Sequence, residues 1–216
     1  SSVSRLLSAN RTPDSYLAGG AALHLLPNSK RYSNDLDFFH DSERRVAEAF
    51  ALDRATLENS GIEVSIELAQ PGYIRALAGK AGEATKIEWA HDSAWRFMPP
   101  VKTPEAGFVL HPVDLAVNKV LALAGRDEAR DFLDILYVND EVLSFRALLW
   151  AAVGKDPGFT PVSLLEIVKR RGRYRPEDFE RLHLVEPVNI SVLKGRWLKI
   201  LEGAELFARG MPPDQA

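Results

Sequence analysis

Two aspartates, Asp35 and Asp37 in Ser33-Asn34-Asp35-Leu36-Asp37-Phe38-Phe39, have types and a spacing suited to chemistry. On a β-strand, residues i and i+2 point to one face, so the two carboxylates stand side by side while Leu36 and Phe38 turn to the buried side. Adjacent carboxylates repel unless a cation neutralises them. A hard divalent ion such as Mg²⁺ does so with oxygen ligands, taking one or two carboxylates together with substrate phosphates. Gly19-Gly20, ahead of a short helix, offers backbone N–H groups and a positive dipole end to a phosphate. Ser33 adds a hydroxyl. A third carboxylate on a neighbouring strand would complete a two-metal site; Glu88 is the first candidate, with Glu63 and Glu67 behind it.

A second cluster comprises Asp114, Lys119, Arg126, Arg130, Asp131 and Asp134. Asp131 and Asp134 are i, i+3 and share a helix face. Lys119 and Arg126 also share one if the helix runs through Gly125. The plain alternative is two antiparallel helices laced by exposed ion pairs. Lys169-Arg170-Arg171-Gly172-Arg173-Tyr174-Arg175 is the one basic run, fit for the phosphates of an RNA or for an ordinary charged helix end. The five histidines, His24, His40, His91, His111 and His183, show no metal-ligand spacing, and the four tryptophans read as core or interface.

The elements that must position these residues follow from periodicity. A helix is expected over 3–10, an apolar run at Tyr16–Ala18, helix from Ala21 to Leu26, a turn at Pro27-Asn28-Ser29 and a strand at Asp35–Phe39. An amphipathic helix from Glu43 to Ser60 stops at Gly61. Ile62, Val64, Ile66 and Leu68 alternate with polar residues in the clearest strand pattern of the chain, followed by strands at Tyr73–Leu77 and Thr85–Trp89. After Pro112 the period becomes helical, with helices expected at 114–123, 129–138, 141–153, 161–170 and 189–208. The expected class is therefore α+β: a mixed sheet flanked by helices over residues 1–110, then a helical bundle over 111–216.

Composition narrows the function. The chain has 216 residues, a formal net charge of −3 and no cysteine, which excludes a disulfide scaffold, a thiolate zinc site, an iron–sulfur cluster and a cysteine nucleophile. The near-neutral charge makes any nucleic-acid site local rather than global. No apolar run approaches the roughly 20 residues that span a bilayer. The first residues lack the apolar stretch of a secretion signal, so a cytoplasmic protein without membrane contact is expected.

The motifs together resemble a known family. Gly19-Gly20-Ala21-Ala22-Leu23, then Lys30-Arg31-Tyr32-Ser33-Asn34-Asp35-Leu36-Asp37-Phe38-Phe39, are similar to the first two motifs of AbiEii/AbiGii-type nucleotidyltransferase toxins. Asp114-Leu115-Ala116-Val117-Asn118-Lys119 with Arg126 resembles the third, and Arg130-Asp131-Phe132-Leu133-Asp134 the fourth. All lie in the family's order within residues 19–134; each alone is weak. Ala21 departs from the pattern, standing where the family has Thr or Ser, and removes a hydroxyl beside the phosphates.

The resemblance implies a nucleotidyltransferase fold, with the first helices of 111–216 completing the active site. It implies Mg²⁺-dependent (or Mn²⁺-dependent) transfer of a nucleotide from an NTP to an acceptor, and a bacterial toxin paired with an antitoxin, with tRNA as acceptor. On that reading an acceptor hydroxyl attacks the α-phosphorus and pyrophosphate leaves. Asp35 and Asp37 hold the triphosphate's metal and share a second ion with Glu88. Gly19, Gly20 and Ser33 hold the β,γ-phosphates. Lys119 and Arg126 neutralise phosphate charge, and Asp131 either contacts the nucleotide or orients Lys119. Lys169, Arg170, Arg171, Arg173 and Arg175 would bind nucleic acid. The rivals are a small-molecule nucleotidyltransferase of the aminoglycoside-modifying kind and a non-catalytic protein on the same fold. A dehalogenase-type phosphatase needs an apolar strand before the first Asp, where Lys30–Asn34 stands. A glycosyltransferase needs a longer nucleotide unit before its Asp-x-Asp, and no phosphate-binding P-loop motif occurs.

Overall fold

A computed structural model describes residues 2–80 and 82–210. The chain divides into two compact units, Ser1–Asn28 with Tyr32–His111, and Ser29–Arg31 with Pro112–Ala216.

The first unit is built on a seven-stranded mixed sheet. Helix α1 (Ser2–Leu7) and one turn of 3₁₀ helix lead into β1 (Ser15–Ala18), α2 (Gly19–Leu23) and β2 (Leu36–His40). Then come α3 (Glu43–Asn59), β3 (Glu63–Gln70), β4 (Tyr73–Lys80), β5 (Glu83–His91), β6 (Val101–Thr103) and β7 (Gly107–Val109). The strand order is β3-β4-β5-β2-β1-β7-β6. β2 runs antiparallel to β1 and parallel to β5, and β5, β4 and β3 form an antiparallel meander. One face of β2 and β5 buries Leu36, Phe38, His40, Ile87 and Trp89, and α3 turns Val46, Ala49, Asp53 and Leu57 inward. Ser42 caps α3 by accepting the Arg45 backbone N–H.

This core carries a polar centre. Arg11 and Asp53 form an ion pair with both side chains at 0% exposure. Asp53 also accepts the Trp89 indole N–H at 2.8 Å and an Asn10 amide N–H at 2.9 Å. The Arg11 guanidinium lies 4.2 Å from the Phe38 ring centroid. A buried carboxylate with this many donors has its desolvation offset by partners.

The second unit is helical: α4 (Pro112–Arg126), α5 (Ala129–Glu141), α6 (Phe145–Lys155), α7 (Pro161–Lys169), α8 (Pro176–Glu180) and α9 (Ile190–Gly210). Phe132 on α5 is its aromatic hub, with ring centroids of Tyr174 at 5.3 Å and Trp197 at 5.4 Å. Gly172 adopts φ +81° beside Trp197, where a Cβ would lie 2.8 Å from the indole nitrogen.

Several sequence expectations shift. β2 begins at Leu36, so Asp35 lies just ahead of the strand. α4 runs through Gly125 to Arg126. The expected helix at 141–153 starts at Phe145. The short β6, β7 and α8 carry too few residues to show a period. β3 has the clearest alternation, yet only Val64 is buried, with Ile66 45% and Leu68 41% exposed. A bulge between Ile66 and Leu68 changes its register, and β3 lies at the sheet edge.

Candidate active site

The sheet topology selects among the carboxylates. β2 and β5 are adjacent and parallel, and Asp37 is the register partner of Glu88. Partners in register share a face, so Asp37 and Glu88 stand side by side opposite the buried Leu36 and Ile87. Glu63 and Glu67 lie on β3, three strands away from β2, a separation of about 14 Å at the usual strand spacing.

Asp37 is also the register partner of Ala18, the residue before Gly19. Gly19 adopts φ +62°, and a Cβ there would lie 1.8 Å from Asp37 Oδ2. The first glycine is thus required twice, for its left-handed backbone and for the carboxylate set over its Cα. Gly19 and Gly20 open α2, whose N-cap residue Ala18 has no side-chain cap. Ser33 Oγ donates to the Asp35 carbonyl at 3.3 Å and ties the approach to β2.

Two basic residues join this face that the sequence reading passed over. Lys86 Nζ lies 3.0 Å from Asp35 Oδ2 and 3.3 Å from Glu88 Oε1. Arg75 Nε lies 3.1 Å from the same Glu88 oxygen and also donates to the Tyr73 hydroxyl. Lys86 precedes Glu88 by two residues on β5, and Arg75 is the register partner of Glu88 on β4. The signal that finds Lys86 is the i, i+2 charge alternation of Lys86-Ile87-Glu88; Arg75 requires the strand pairing. Burial alone pushes the Lys86 pKa down, but its bonds to Asp35 and Glu88 outweigh this and hold it above the ordinary value. Among the described residues, no three carboxylates or histidines gather closely enough to cage a metal by themselves.

The predicted residues of the helical unit meet one another. Lys119 Nζ lies 2.8 Å from Asp134 Oδ2 and 3.2 Å from Asp131 Oδ1. Arg126 grips Asp131 with two N–H donors at 2.6 and 2.9 Å, and Arg31 grips Asp134 at 2.9 and 2.7 Å. Burial raises the Asp131 pKa, but Arg126 and Lys119 more than reverse this and leave it below the ordinary value. Asp131 contacts Lys119 directly. Asp114 is buried in the first turn of α4, and Arg130 pairs with Glu128. The lacing considered from sequence is exposed only in part: Arg126 and Arg130 reach water and pair with Glu128, while Lys119, Asp131 and Asp134 are buried.

The basic run splits. Lys169 pairs with Glu166 and Glu205, and Arg171 pairs with Asp127 and donates to the Ala124 carbonyl. Arg170, Arg173 and Arg175 are exposed.

Comparison with known proteins then decides the family. The family described as "Nucleotidyl transferase AbiEii toxin, Type IV TA system" matches residues 4–209. The chain belongs to the AbiEii family. A search of the curated proteins found no match. Among solved structures, this AbiEii-family chain is similar to JHP933 from Helicobacter pylori, at 19% identity, TM-score 0.62, covering 96% of this chain and 90% of that one. It is also similar to MenT4, a nucleotidyltransferase toxin from Mycobacterium tuberculosis H37Rv, at 17% identity, TM-score 0.63, covering 98% and 82%. The fold is therefore that of a nucleotidyltransferase toxin, and the family makes the chain a nucleotidyltransferase. No helix among the described residues is long and apolar enough to cross a membrane.

Proposed function

We propose that this AbiEii-family enzyme transfers a nucleotide from an NTP to a hydroxyl of tRNA, using a divalent cation held at Asp35 and Asp37. The observation that carries the reading is Asp37, set over Gly19 at the start of α2 and beside Glu88 on the next strand. The donor set fits a hard cation. Every candidate ligand is a carboxylate oxygen, and Asp35 and Glu88 already converge on one positive charge, the Lys86 ammonium. Magnesium (or manganese) completes its shell with substrate phosphates, so two carboxylates suffice. Bound there, the ion would neutralise the triphosphate and polarise the reacting phosphorus.

The chain's own groups do the rest. The backbone N–H groups of Gly19 and Gly20, with the Ser33 hydroxyl turned from the Asp35 carbonyl, hold the β,γ-phosphates. Lys119 and Arg126, which the family resemblance gives to the triphosphate, are engaged with Asp131 and Asp134 within the helical unit. The acceptor oxygen forms its bond to the α-phosphorus as the bond to pyrophosphate breaks, and the hydroxyl proton leaves to solvent. Ala21 brings no hydroxyl, so the cradle is backbone. Exposed Arg170, Arg173 and Arg175 supply phosphate contacts for an RNA acceptor. The family's Type IV toxin–antitoxin assignment supports a cognate antitoxin as partner, and a reaction on NTP and tRNA would belong to the cytoplasm.

Label transfer tests this. The protein is incubated with each α-labelled NTP, Mg²⁺ and total bacterial RNA, beside Asp35→Ala/Asp37→Ala. A labelled tRNA-sized band, reduced at least ~10³-fold in the variant, is expected, in line with removing the groups that stabilise transition-state charge. Label on an aminoglycoside but not on RNA would replace the acceptor; equal label in the variant would remove Asp35 and Asp37 from the chemistry.

A further inference from the structure

We propose that Lys86 is the second cation of this active site: its ammonium, held between Asp35 and Glu88, stands where a two-metal transferase would place its second divalent ion. The inference rests on the metal reading of Asp35 and Asp37 above and goes past it, assigning the enzyme one divalent ion and one fixed ammonium.

The geometry is that of a bridging cation. Nζ touches a carboxylate oxygen on each side, at 3.0 Å from Asp35 and 3.3 Å from Glu88. In a two-metal site the second ion would likewise offset the charge of carboxylates that otherwise repel one another. The position is also built rather than incidental. β5 is hydrogen-bonded to β4 on one side and β2 on the other, so the Lys86 backbone is fixed two residues before Glu88 and beside the start of β2, which Asp35 precedes by one residue. The side chain is only 31% exposed.

Glu88 argues the same way. Its Oε1 serves Lys86 and, at 3.1 Å, Arg75. A divalent ion at that oxygen would bring a third positive centre into close repulsion with the other two. Glu88 therefore holds the ammonium in place and does not ligate metal, and the metal falls to Asp35 and Asp37. Lysine suits the place because its charge is compact and needs no dehydrated octahedral shell, unlike Mg²⁺.

The test counts metal. Mn²⁺ bound per protein-bound nucleotide is measured by electron paramagnetic resonance, with each α,β-methylene nucleoside triphosphate, for the unaltered protein, Lys86→Arg and Lys86→Met. One ion is expected for the first two and two for Lys86→Met, whose vacated carboxylates take a second. One ion in Lys86→Met also supports the proposal if its label-transfer rate falls at least ~100-fold at an unchanged melting temperature, the scale of losing one preorganised charge, while Lys86→Arg keeps the rate. Two ions in the unaltered protein would overturn it, because the ammonium then yields its place. So would one ion in Lys86→Met with an unchanged rate. Absence of any bound Mn²⁺ in the unaltered protein would instead overturn the metal reading at Asp35 and Asp37, and this proposal with it.

Discussion

The acidic face of the sheet and the polar knot of the helical unit use the same residue types at different exposures. On the sheet, the Asp35, Glu88, Lys86 and Arg75 side chains keep between 21% and 39% of their surface in water. In the knot, Lys119, Asp131, Asp134 and Arg31 keep 7% or less. Partly exposed pairs cost little to rearrange, so the metal and triphosphate proposed above could be met by shifts of the carboxylates around the Lys86 ammonium, which two of them hold at once. Buried pairs hold only as a complete set, because removing one partner strands a charge in a low dielectric. The difference separates carboxylates that water reaches from carboxylates whose buried ion pairs tie α4, α5 and Arg31 together.

The sharpest way to break the comparison is to empty one carboxylate of the knot. Asp134→Ala leaves Arg31 and Lys119 without the oxygens at 2.7–2.9 Å that they now share. A loss of about 3–5 kcal/mol is expected, a fall in melting temperature of roughly 10 °C. Urea denaturation checks it. A change below about 1 kcal/mol would show the knot to be wet and the contrast with the sheet face unfounded.

A gentler probe uses pH on the buried side of the sheet. His40 is fully buried, neither ring nitrogen has a hydrogen-bond partner, and burial, aided by the charges of Arg11 and Arg45, lowers its pKa to about 3. The ordinary value is 6.5, so between 6.5 and about 3 the unfolded chain takes up a proton that the folded one refuses. Stability must then fall as pH drops through that window, by up to about 1.4 kcal/mol per pH unit. Acidification also protonates carboxylates such as Asp131, whose lowered pKa makes it lose its contribution at still lower pH. The stability difference between the unaltered protein and His40→Gln cancels that shared part. It should shift in favour of the variant as pH falls from 6.5 to 4.5, followed by denaturation at several pH values. A difference that stays flat would mean that His40 titrates normally.

What the sequence revealed follows the reach of each signal. Asp35, Asp37 and the two glycines are local, within 19 residues, and the chemistry proposed for them comes from i, i+2 spacing and a glycine pair before a helix. That Gly19 must lack a Cβ because Asp37 sits over it is a tertiary fact. Glu88 is the sequence's first candidate ahead of Glu63 and Glu67, and its position beside Asp37 depends on the pairing of β2 with β5. Lys86 and Arg75 were missed because a cation on a neighbouring strand gains meaning only from pairing. In the second cluster the residues were found but their environment was not. Spacing reports which helix face a charge occupies, not whether another element covers that face. The same gap explains β3, whose alternation promised a half-buried strand and delivered an exposed edge.

The basic run offers the smallest and most selective test, because ion-paired and exposed cations lie together within seven residues. Lys169 and Arg171 are held by Glu166, Glu205 and Asp127, so their charges are largely met within the chain. Arg170 and Arg173 are exposed. Each cation that neutralises an RNA phosphate releases counterions and adds about 0.7–0.9 to the slope of log affinity against log salt. Arg170→Ala with Arg173→Ala should therefore lower the slope for tRNA by roughly 1.4–1.8, with little change in folding stability. Lys169→Ala alone should leave the slope nearly intact, because its charge already faces two glutamates. Fluorescence anisotropy across a salt series separates the cases. Equal slopes in the double variant and the unaltered protein would move the RNA contact elsewhere. A drop with Lys169→Ala as large as the double variant's would show that its ion pairs open for the acceptor, and that pairing in the free protein does not mark a cation as structural.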